Sequence, residues 1–207
     1  MSNITEQTVP TAVPPDANTE VEQARHGDRQ AFNRLVLRYQ NMIVSLCTHL
    51  LGNKNDGEDA AQDAFVKAYM QLESFRGDAR FSTWLYIIAV NACRNRQRSF
   101  WQKLFKHSLA TGIPGKEDDG AEMIEIIDSS PLPSQELEKK EFRDQIKRAI
   151  GLLPCRYREL IILRDIQQLR YDEIAAIINV PEGTIKSGIA RARLALQVEL
   201  KGLIDGF

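Results

Sequence analysis

The chain has 207 residues, of which 43% are hydrophobic and 27% are charged, and its formal net charge is −1. This composition is ordinary for a soluble globular protein, and the length is too great for one small helical bundle but suits two compact domains. No apolar run approaches the ~20 residues that cross a bilayer, so direct membrane insertion is not expected. The whole-chain charge does not indicate a nucleic-acid binder, and only its distribution does.

The N-terminal segment, residues 1–18, is polar, holds three prolines and lacks the basic start and apolar stretch of a signal peptide. We expect a disordered tail there and a cytoplasmic protein. Cys47, Cys93 and Cys155 are far apart in sequence, which is typical of a reducing compartment, and we expect them to be small buried residues. The histidines are equally scattered, so neither a metal site nor a cofactor is predicted.

Helical periodicity predicts a first all-α domain over residues 19–106. Thr19 followed by Glu22 has the pattern of a helix-capping box, and Gly27 with Asp28 ends that first helix. The elements predicted after it are a helix with apolar residues from 32 to 46, a loop at 52–57, a helix over 58–72, a turn at 75–80, and a helix capped by Ser82 or Thr83.

No acidic residue occurs between Asp78 and Glu117, and cations alternate there with aromatic side chains. Stacking faces beside cations suit single-stranded nucleic acid, because every base has a π-face and every nucleotide a phosphate. Asn91 and Asn95 are four residues apart and share a helix face. For Phe81 and Trp84 we favour core packing, whereas for the run at 94–98 we favour nucleic acid.

Residues 107–134 are rich in glycine, proline and acidic side chains, which indicates a flexible acidic linker. Helical periodicity returns over 135–207, and no segment shows the alternation of a strand. The predicted fold is therefore all-α, with two small helical domains joined by the linker.

The segment 171–196 has the pattern of a helix-turn-helix. Ile174, Ile177 and Ile178 supply a buried face, residues 179–181 form the turn, and Thr184 begins the second helix. On that helix the predicted core face holds Ile185, Ile189, Ala192 and Leu196. The face of that helix predicted to meet phosphates or guanine edges carries Thr184, Lys186, Ser187, Arg191 and Arg193. An αα-hairpin with a solvated basic face is the alternative that this pattern alone leaves open.

Five motifs in order resemble the extracytoplasmic-function sigma factors, close to the sigma-E type, and the resemblance covers residues 20–200. The motifs are 27–32 (GDRQAF), 58–69 (EDAAQDAFVKAY), 81–91 (FSTWLYIIAVN), 153–159 (LPCRYRE) and 171–175 (YDEIA). This resemblance implies that the first domain is similar to sigma region 2, which binds the polymerase clamp and melts and reads the −10 element. The second domain resembles region 4, which reads the −35 element and touches the polymerase flap.

The resemblance also implies site residues and partners. The clamp contact falls on Asp59, Gln62 and Asp63, and the linker resembles the segment that threads toward the polymerase active centre. An anti-sigma factor, often membrane-bound, is the further partner of the family, so the chain is expected at the nucleoid or held at the membrane. The residues implied for the −10 element are Arg76, Arg80, Trp84, Asn91, Arg94, Asn95 and Arg98.

Family members usually carry arginine where Gly188 stands, and we interpret this position as a vacancy from which an arginine would reach a phosphate or a base. The alternative is that glycine is needed there for close approach to the DNA backbone or to an anti-sigma helix. Two other classes of function were weighed. A helix-turn-helix regulator that acts without polymerase would not need the region 58–98. A nuclease could use Asp59 and Asp63 for magnesium, but other convergent ligands are lacking, so no enzyme is predicted.

Overall fold

The computed structural model describes residues 17–111 and 134–205, with side-chain surroundings for 17–99 and 140–203. Within these ranges the regular elements are helical and no strand occurs, as the absence of alternation predicts. In chain order they are α1 (Asn18–Arg25), α2 (Arg29–Leu51), α3 (Lys54–Gln71), a 3-10 turn (Leu72–Ser74), α4 (Phe81–Thr111), α5 (Ser134–Leu152), α6 (Cys155–Ile161), a π turn (Ile162–Ile166), α7 (Tyr171–Ile178) and α8 (Glu182–Asp205).

The junction between α1 and α2 is built as the sequence predicts. Gly27 has a φ of +94°, and the Asp28 carboxylate accepts hydrogen bonds from the backbone N–H of Gln30 and Ala31 at 2.8 and 3.1 Å. Such a cap stabilises a helix by about 1 kcal/mol. The capping box predicted at Thr19 is wrong, because α1 already begins at Asn18 and its N-cap, Ala17, is fixed by burial and not by a hydroxyl.

The predicted loop at 52–57 is shorter in the structure. Gly52 ends α2 in the left-handed conformation at φ +72°, and Asn53 caps α3 by accepting a hydrogen bond from the backbone N–H of Asp56 at 3.2 Å. Helix α3 therefore begins at Lys54 and includes Gly57, which is buried against α2. The glycine at this position allows α2 and α3 to approach closely, and it does not form a turn.

The core of the first half lies between α2, α3 and α4. Large side chains on α2, such as Leu35 and Tyr39, are buried, and α3, which packs against α2, contributes a row of buried alanines that lets the helices approach closely. The Tyr39 ring lies 5.6 Å from the ring of Phe81 on α4. Each fully buried leucine contributes roughly 1.5–3 kcal/mol. Phe81 is buried as predicted, but Ser82 and Thr83 are also buried in the first turn of α4, so neither caps it. Two of the three cysteines, Cys47 and Cys93, are buried here.

The expectation that all three cysteines are buried fails for Cys155, which is exposed at the start of α6. The reason is Pro154, which interrupts the helical path between α5 and α6 and leaves the first residues of α6 at the surface. The Cys155 thiol donates a hydrogen bond to the Gln97 side chain of α4 at 3.2 Å.

Helices α7 and α8 form the predicted helix-turn-helix. Asn179 ends α7 in the left-handed conformation at φ +59°, and α8 begins at Glu182, two residues before the predicted start, because Pro181 already accepts its first backbone hydrogen bonds. The faces of α7 and α8 that were predicted to be apolar meet in the core. Ile178 and Leu196 are only partly buried there, whereas the buried members are Ile174, Ile177, Ile185, Ile189 and Ala192.

The two halves are packed against each other, which the sequence did not indicate. Helix α4 contacts α7, and α2 contacts the π turn. At this contact the Tyr86 hydroxyl donates a hydrogen bond to Gln167 Oε1 at 3.0 Å, and both side chains are buried. Burial raises the pKa of Tyr86, with the Glu173 carboxylate adding to the effect, so the hydroxyl stays protonated and remains the donor.

Candidate nucleic-acid interface

One face of α4 carries an exposed polar row formed by Asn91, Asn95 and Arg98. Their spacing of four and then three residues puts them one above another on the helix. Amide groups can read base edges and a guanidinium can hold a phosphate. The structure therefore brings these three predicted residues together on one surface.

The turn before α4 holds the next predicted residues. Gly77, with a φ of +78°, reverses the chain and leaves Arg76 and Arg80 exposed. Trp84 is half-buried against Phe75, with the ring centroids 5.1 Å apart. Trp84 therefore combines the core role that we favoured with a ring that is partly open to solvent.

Arg94 points away from the polar row. Its guanidinium donates two hydrogen bonds to the Glu159 carboxylate of α6, each at 2.7 Å, in bidentate geometry. The hydrogen bond to Glu159 raises the pKa of Arg94 further. Glu159 is only 6% exposed, so its charge requires this partner. Sequence reasoning missed Glu159, and its place among apolar residues of α6 was the available signal.

Arg96 points to yet another side of α4. It lies 3.6 Å from Asp56, 2.8 Å from Asp59 and 3.3 Å from Asp63, all on α3. The run at 94–98 is thus not one nucleic-acid surface, because successive residues of a helix are turned by 100° and face different neighbours. The interpretation of the whole run as nucleic-acid binding is corrected in this respect.

The predicted polymerase-contact residues Asp59, Gln62 and Asp63 are exposed on α3, as expected of a docking face. Arg96 neutralises part of this acidic surface.

An apolar groove of about 460 Å³ lies beside the acidic surface, between α2 and α3, and Gln62 is one of its lining residues. The apolar side chains that line the groove include Phe32, Val36, Phe65, Val66, Tyr69 and Met70. The sequence signal for this groove was the pair Val66 and Met70, which are apolar but lie off the buried stripe of α3 and are exposed.

The five residues predicted on the recognition helix α8 are all exposed but lie on two faces. Thr184, Ser187 and Arg191 line a groove of about 370 Å³ against α6. Lys186 lies 2.9 Å from Glu182, and Arg193 donates hydrogen bonds to the Asp165 carboxylate at 2.5 and 3.2 Å. These hydrogen bonds raise the pKa of both cations, so each stays charged over the physiological range.

Gly188 lies close to a side chain of α6. A Cβ at this position would stand 2.9 Å from Leu160 Cδ1 of α6. The position lines the same groove as Thr184, Ser187 and Arg191, and a larger residue there would have to displace the end of the Leu160 side chain. The interpretation of Gly188 as a vacancy stays a prediction, and the sequence pattern alone does not show how closely α6 lies against α8.

In the described part of the chain no group of three or more His, Cys, Asp or Glu side chains is placed to hold a metal ion. Within the same residues no helix is both long and apolar enough to span a bilayer.

Comparison with known proteins identifies the family. Two family models match: Sigma-70 region 2 over residues 35–102, and Sigma-70, region 4 over residues 143–196. The ECF RNA polymerase sigma factor SigW of Bacillus subtilis (strain 168) is 38% identical over 184 residues, covering 88% of this chain and 96% of that protein. The ECF RNA polymerase sigma-E factor of Escherichia coli (strain K12) is also 38% identical over 184 residues, covering 89% of this chain and 94% of that protein.

Solved structures agree on the fold. The sigma factor RpoE in complex with the anti-sigma factor NepR, from Bartonella quintana, gives a TM-score of 0.57 at 26% identity, covering 83% of this chain and 98% of that chain. The structure of CnrH in complex with the cytosolic domain of CnrY gives a TM-score of 0.61 at 24% identity, covering 92% of this chain and 99% of that chain. This likeness shows the fold alone. Because the two region matches occupy the two helical halves in order, and the relatives align along most of their length, the chain belongs to the extracytoplasmic-function (ECF) sigma factors of RNA polymerase.

Proposed function

We propose that this ECF sigma factor, a promoter-directing transcription initiation factor, divides promoter recognition between its two halves. In this proposal residues 19–106 contact the polymerase clamp and melt and read the −10 element, and residues 135–207 read the −35 element and touch the flap. The chain itself catalyses no reaction, and it acts in the cytoplasm, where core polymerase and the nucleoid are.

The observation that carries the proposal is the exposed row of Asn91, Asn95 and Arg98 on α4. Two amides and a cation aligned on one helix face, beside the partly open ring of Trp84, suit a single strand that has left the duplex. Extruding a base costs a few kcal/mol of stacking, which contacts of this kind must offset. Arg76 and Arg80 on the preceding turn would hold the flanking phosphates.

The second half supplies a different kind of contact. Thr184, Ser187 and Arg191 share one face of α8, which suits the major groove of duplex DNA. Lys186 and Arg193 are held by carboxylates of the protein, so we assign them to phosphates at the edge of the contact. A helix-turn-helix regulator that acts without polymerase is not favoured, because it leaves the region 2 match over residues 35–102 without a role.

We assign the clamp contact to Asp59, Gln62 and Asp63 together with the neighbouring apolar groove. A polar rim next to an apolar floor is the usual composition of a protein interface. An anti-sigma factor is the further partner that we propose, by analogy with RpoE, which is bound by NepR in the solved complex. Such a partner would hold the chain at the membrane.

Run-off transcription with core polymerase and genomic fragments tests the function. The wild-type chain should start transcription at discrete sites, whereas core polymerase alone should not.

Asn91→Ala and Asn95→Ala should reduce permanganate reactivity at the −10 element more than they reduce closed-complex binding. Asn33→Ala, an exposed asparagine on α2, is the matched control and should have no effect. Equal losses in both steps would remove the melting role.

A further inference from the structure

Three aspartates of α3 converge on a single guanidinium of α4. Asp56, Asp59 and Asp63 are three and four residues apart, so they lie along one face of α3, and Arg96 of α4 stands opposite them. Two of the three, Asp59 and Asp63, are the carboxylates that we assign to the polymerase clamp. The surface proposed to meet polymerase is therefore not a set of independent acids, because one cation contacts its members together.

Each nitrogen of the Arg96 guanidinium serves a different carboxylate. Nη2 donates a hydrogen bond to Asp59 Oδ2 at 2.8 Å, Nη1 donates to Asp63 Oδ2 at 3.3 Å, and Nε lies 3.6 Å from Asp56 Oδ1. A planar fork can make these contacts at the same time, whereas a lysine ammonium is a point charge without fixed directions. The Asp59 and Asp63 side chains remain 61% and 64% exposed, so carboxylate surface stays open to a partner.

Stability does not account for this arrangement. The Arg96 side chain is 34% exposed and its partners are more exposed still, and exposed ion pairs contribute little to the free energy of unfolding. What the guanidinium supplies is direction, because it holds two side chains in one orientation each that would otherwise exchange between rotamers in solvent. Since ordering side chains during association costs affinity, carboxylates that are ordered beforehand bind a partner more tightly.

We propose that Arg96 is a positioning residue of the polymerase contact, which orients Asp59 and Asp63 in the free chain so that their carboxylates meet the clamp without further ordering. The inference rests on the proposed clamp contact of this face. Arg96 acts through the two aspartates, and its guanidinium is turned toward α3. Its neutralising effect is secondary, because one cation among three carboxylates leaves the group with a net negative charge.

Binding kinetics of the full chain with core polymerase test the inference. Arg96→Lys keeps the charge and loses the fork, so the complex should dissociate about 5-fold faster while the association rate stays nearly the same. Arg143→Lys, an exposed arginine on α5, is the matched control and should bind as the wild type does. An Arg96→Lys chain with the wild-type dissociation rate would overturn the inference.

A second substitution separates orientation from charge. Arg96→Gln removes the cation and leaves three carboxylates uncompensated, so it changes the association rate and its dependence on salt. If Arg96 positions the carboxylates, dissociation becomes faster in Arg96→Gln as it does in Arg96→Lys, at low and at high salt. Slower dissociation of Arg96→Gln than of the wild type would show that Arg96 only reduces the charge of this surface, and positioning would be wrong.

A background that lacks both carboxylates tests whether Arg96 acts through them. Asp59→Asn with Asp63→Asn should weaken binding to core polymerase, and Arg96→Lys should add nothing further in that background. An equal loss from Arg96→Lys with and without the two aspartates would overturn the inference, because Arg96 would then act elsewhere. Wild-type affinity of the double asparagine variant would instead overturn the clamp contact in the proposed function, so the two failures are distinguishable.

Discussion

Gly57 of α3 lies directly against Thr48 of α2. A Cβ at position 57 would stand 2.6 Å from the Thr48 Cα and also 2.6 Å from its backbone nitrogen, closer than a real Cβ approaches such atoms. Because both atoms belong to the backbone, no side-chain rotation can make room. The glycine thus sets how closely α2 and α3 pack, and with it the position of the acidic face and of the groove beside it.

Gly57→Ala should therefore destabilise the protein. Overpacking of this kind costs about 1–3 kcal/mol, and the better helix propensity of alanine offsets at most about 1 kcal/mol. Urea unfolding should show the net loss in the midpoint. Gly151→Ala on α5 is the control, since nothing lies within 4 Å of the added Cβ, and it should be neutral or slightly stabilising. Equal midpoints for the two variants would contradict the close contact.

Gly188 should behave differently, because the atom that a Cβ would meet is the movable end of Leu160. We expect Gly188→Ala to be nearly neutral, since the gain in helix propensity of roughly 1 kcal/mol offsets the displacement of Leu160. In a Leu160→Val background the obstructing Cδ1 is absent, so Gly188→Ala should stabilise by about 0.5–1 kcal/mol. A double-mutant cycle of unfolding free energies measures the difference, and additivity would exclude the contact.

The acidic face of α3 should be needed for binding to core polymerase. Gln62→Ala combined with Asp63→Arg removes an amide and reverses a charge on an exposed surface, so binding should weaken while the far-UV circular dichroism stays the same. The lost Arg96–Asp63 pair is exposed and contributes at most about 1 kcal/mol to stability. Glu141→Arg serves as the charge-matched control. Wild-type affinity of the double variant would disprove the assignment.

The three cysteines should differ in reactivity. A hydrogen bond with Cys47 and then burial raise the pKa of the Cys93 thiol, so raising the pH does not produce its thiolate in the folded chain as it would for a free cysteine. Iodoacetamide at pH 8 to 9 should modify Cys155, and should modify Cys47 and Cys93 after denaturation. Peptide mapping by mass spectrometry gives the answer, and rapid native modification of Cys93 would refute it.

Local sequence signals predicted the helix ends correctly where the residue that caps or breaks the helix lies at that end. Asp28 caps α2 as its sequence position suggests, and Asn179 with Pro181 separates α7 from α8. The errors at Thr19 and at the loop 52–57 have different sources. Ala17 is buried against neighbours that lie elsewhere in the chain, which the sequence did not show. At the loop the Asn53 side chain caps α3, and Gly57 lies inside that helix because it packs closely against α2.

The sequence by itself determined the all-α class, the order of the two halves and the helix-turn-helix, because helical periodicity and turn chemistry are local properties. Only the tertiary structure decided where charged side chains point. Arg94, Arg96 and Arg98 are neighbours in sequence, yet the first holds Glu159, the second holds Asp59 and the third is exposed. Each direction depends on which helix lies opposite, so the packing of α4 against α3 and against the second half placed the arginines of one basic run in three different environments.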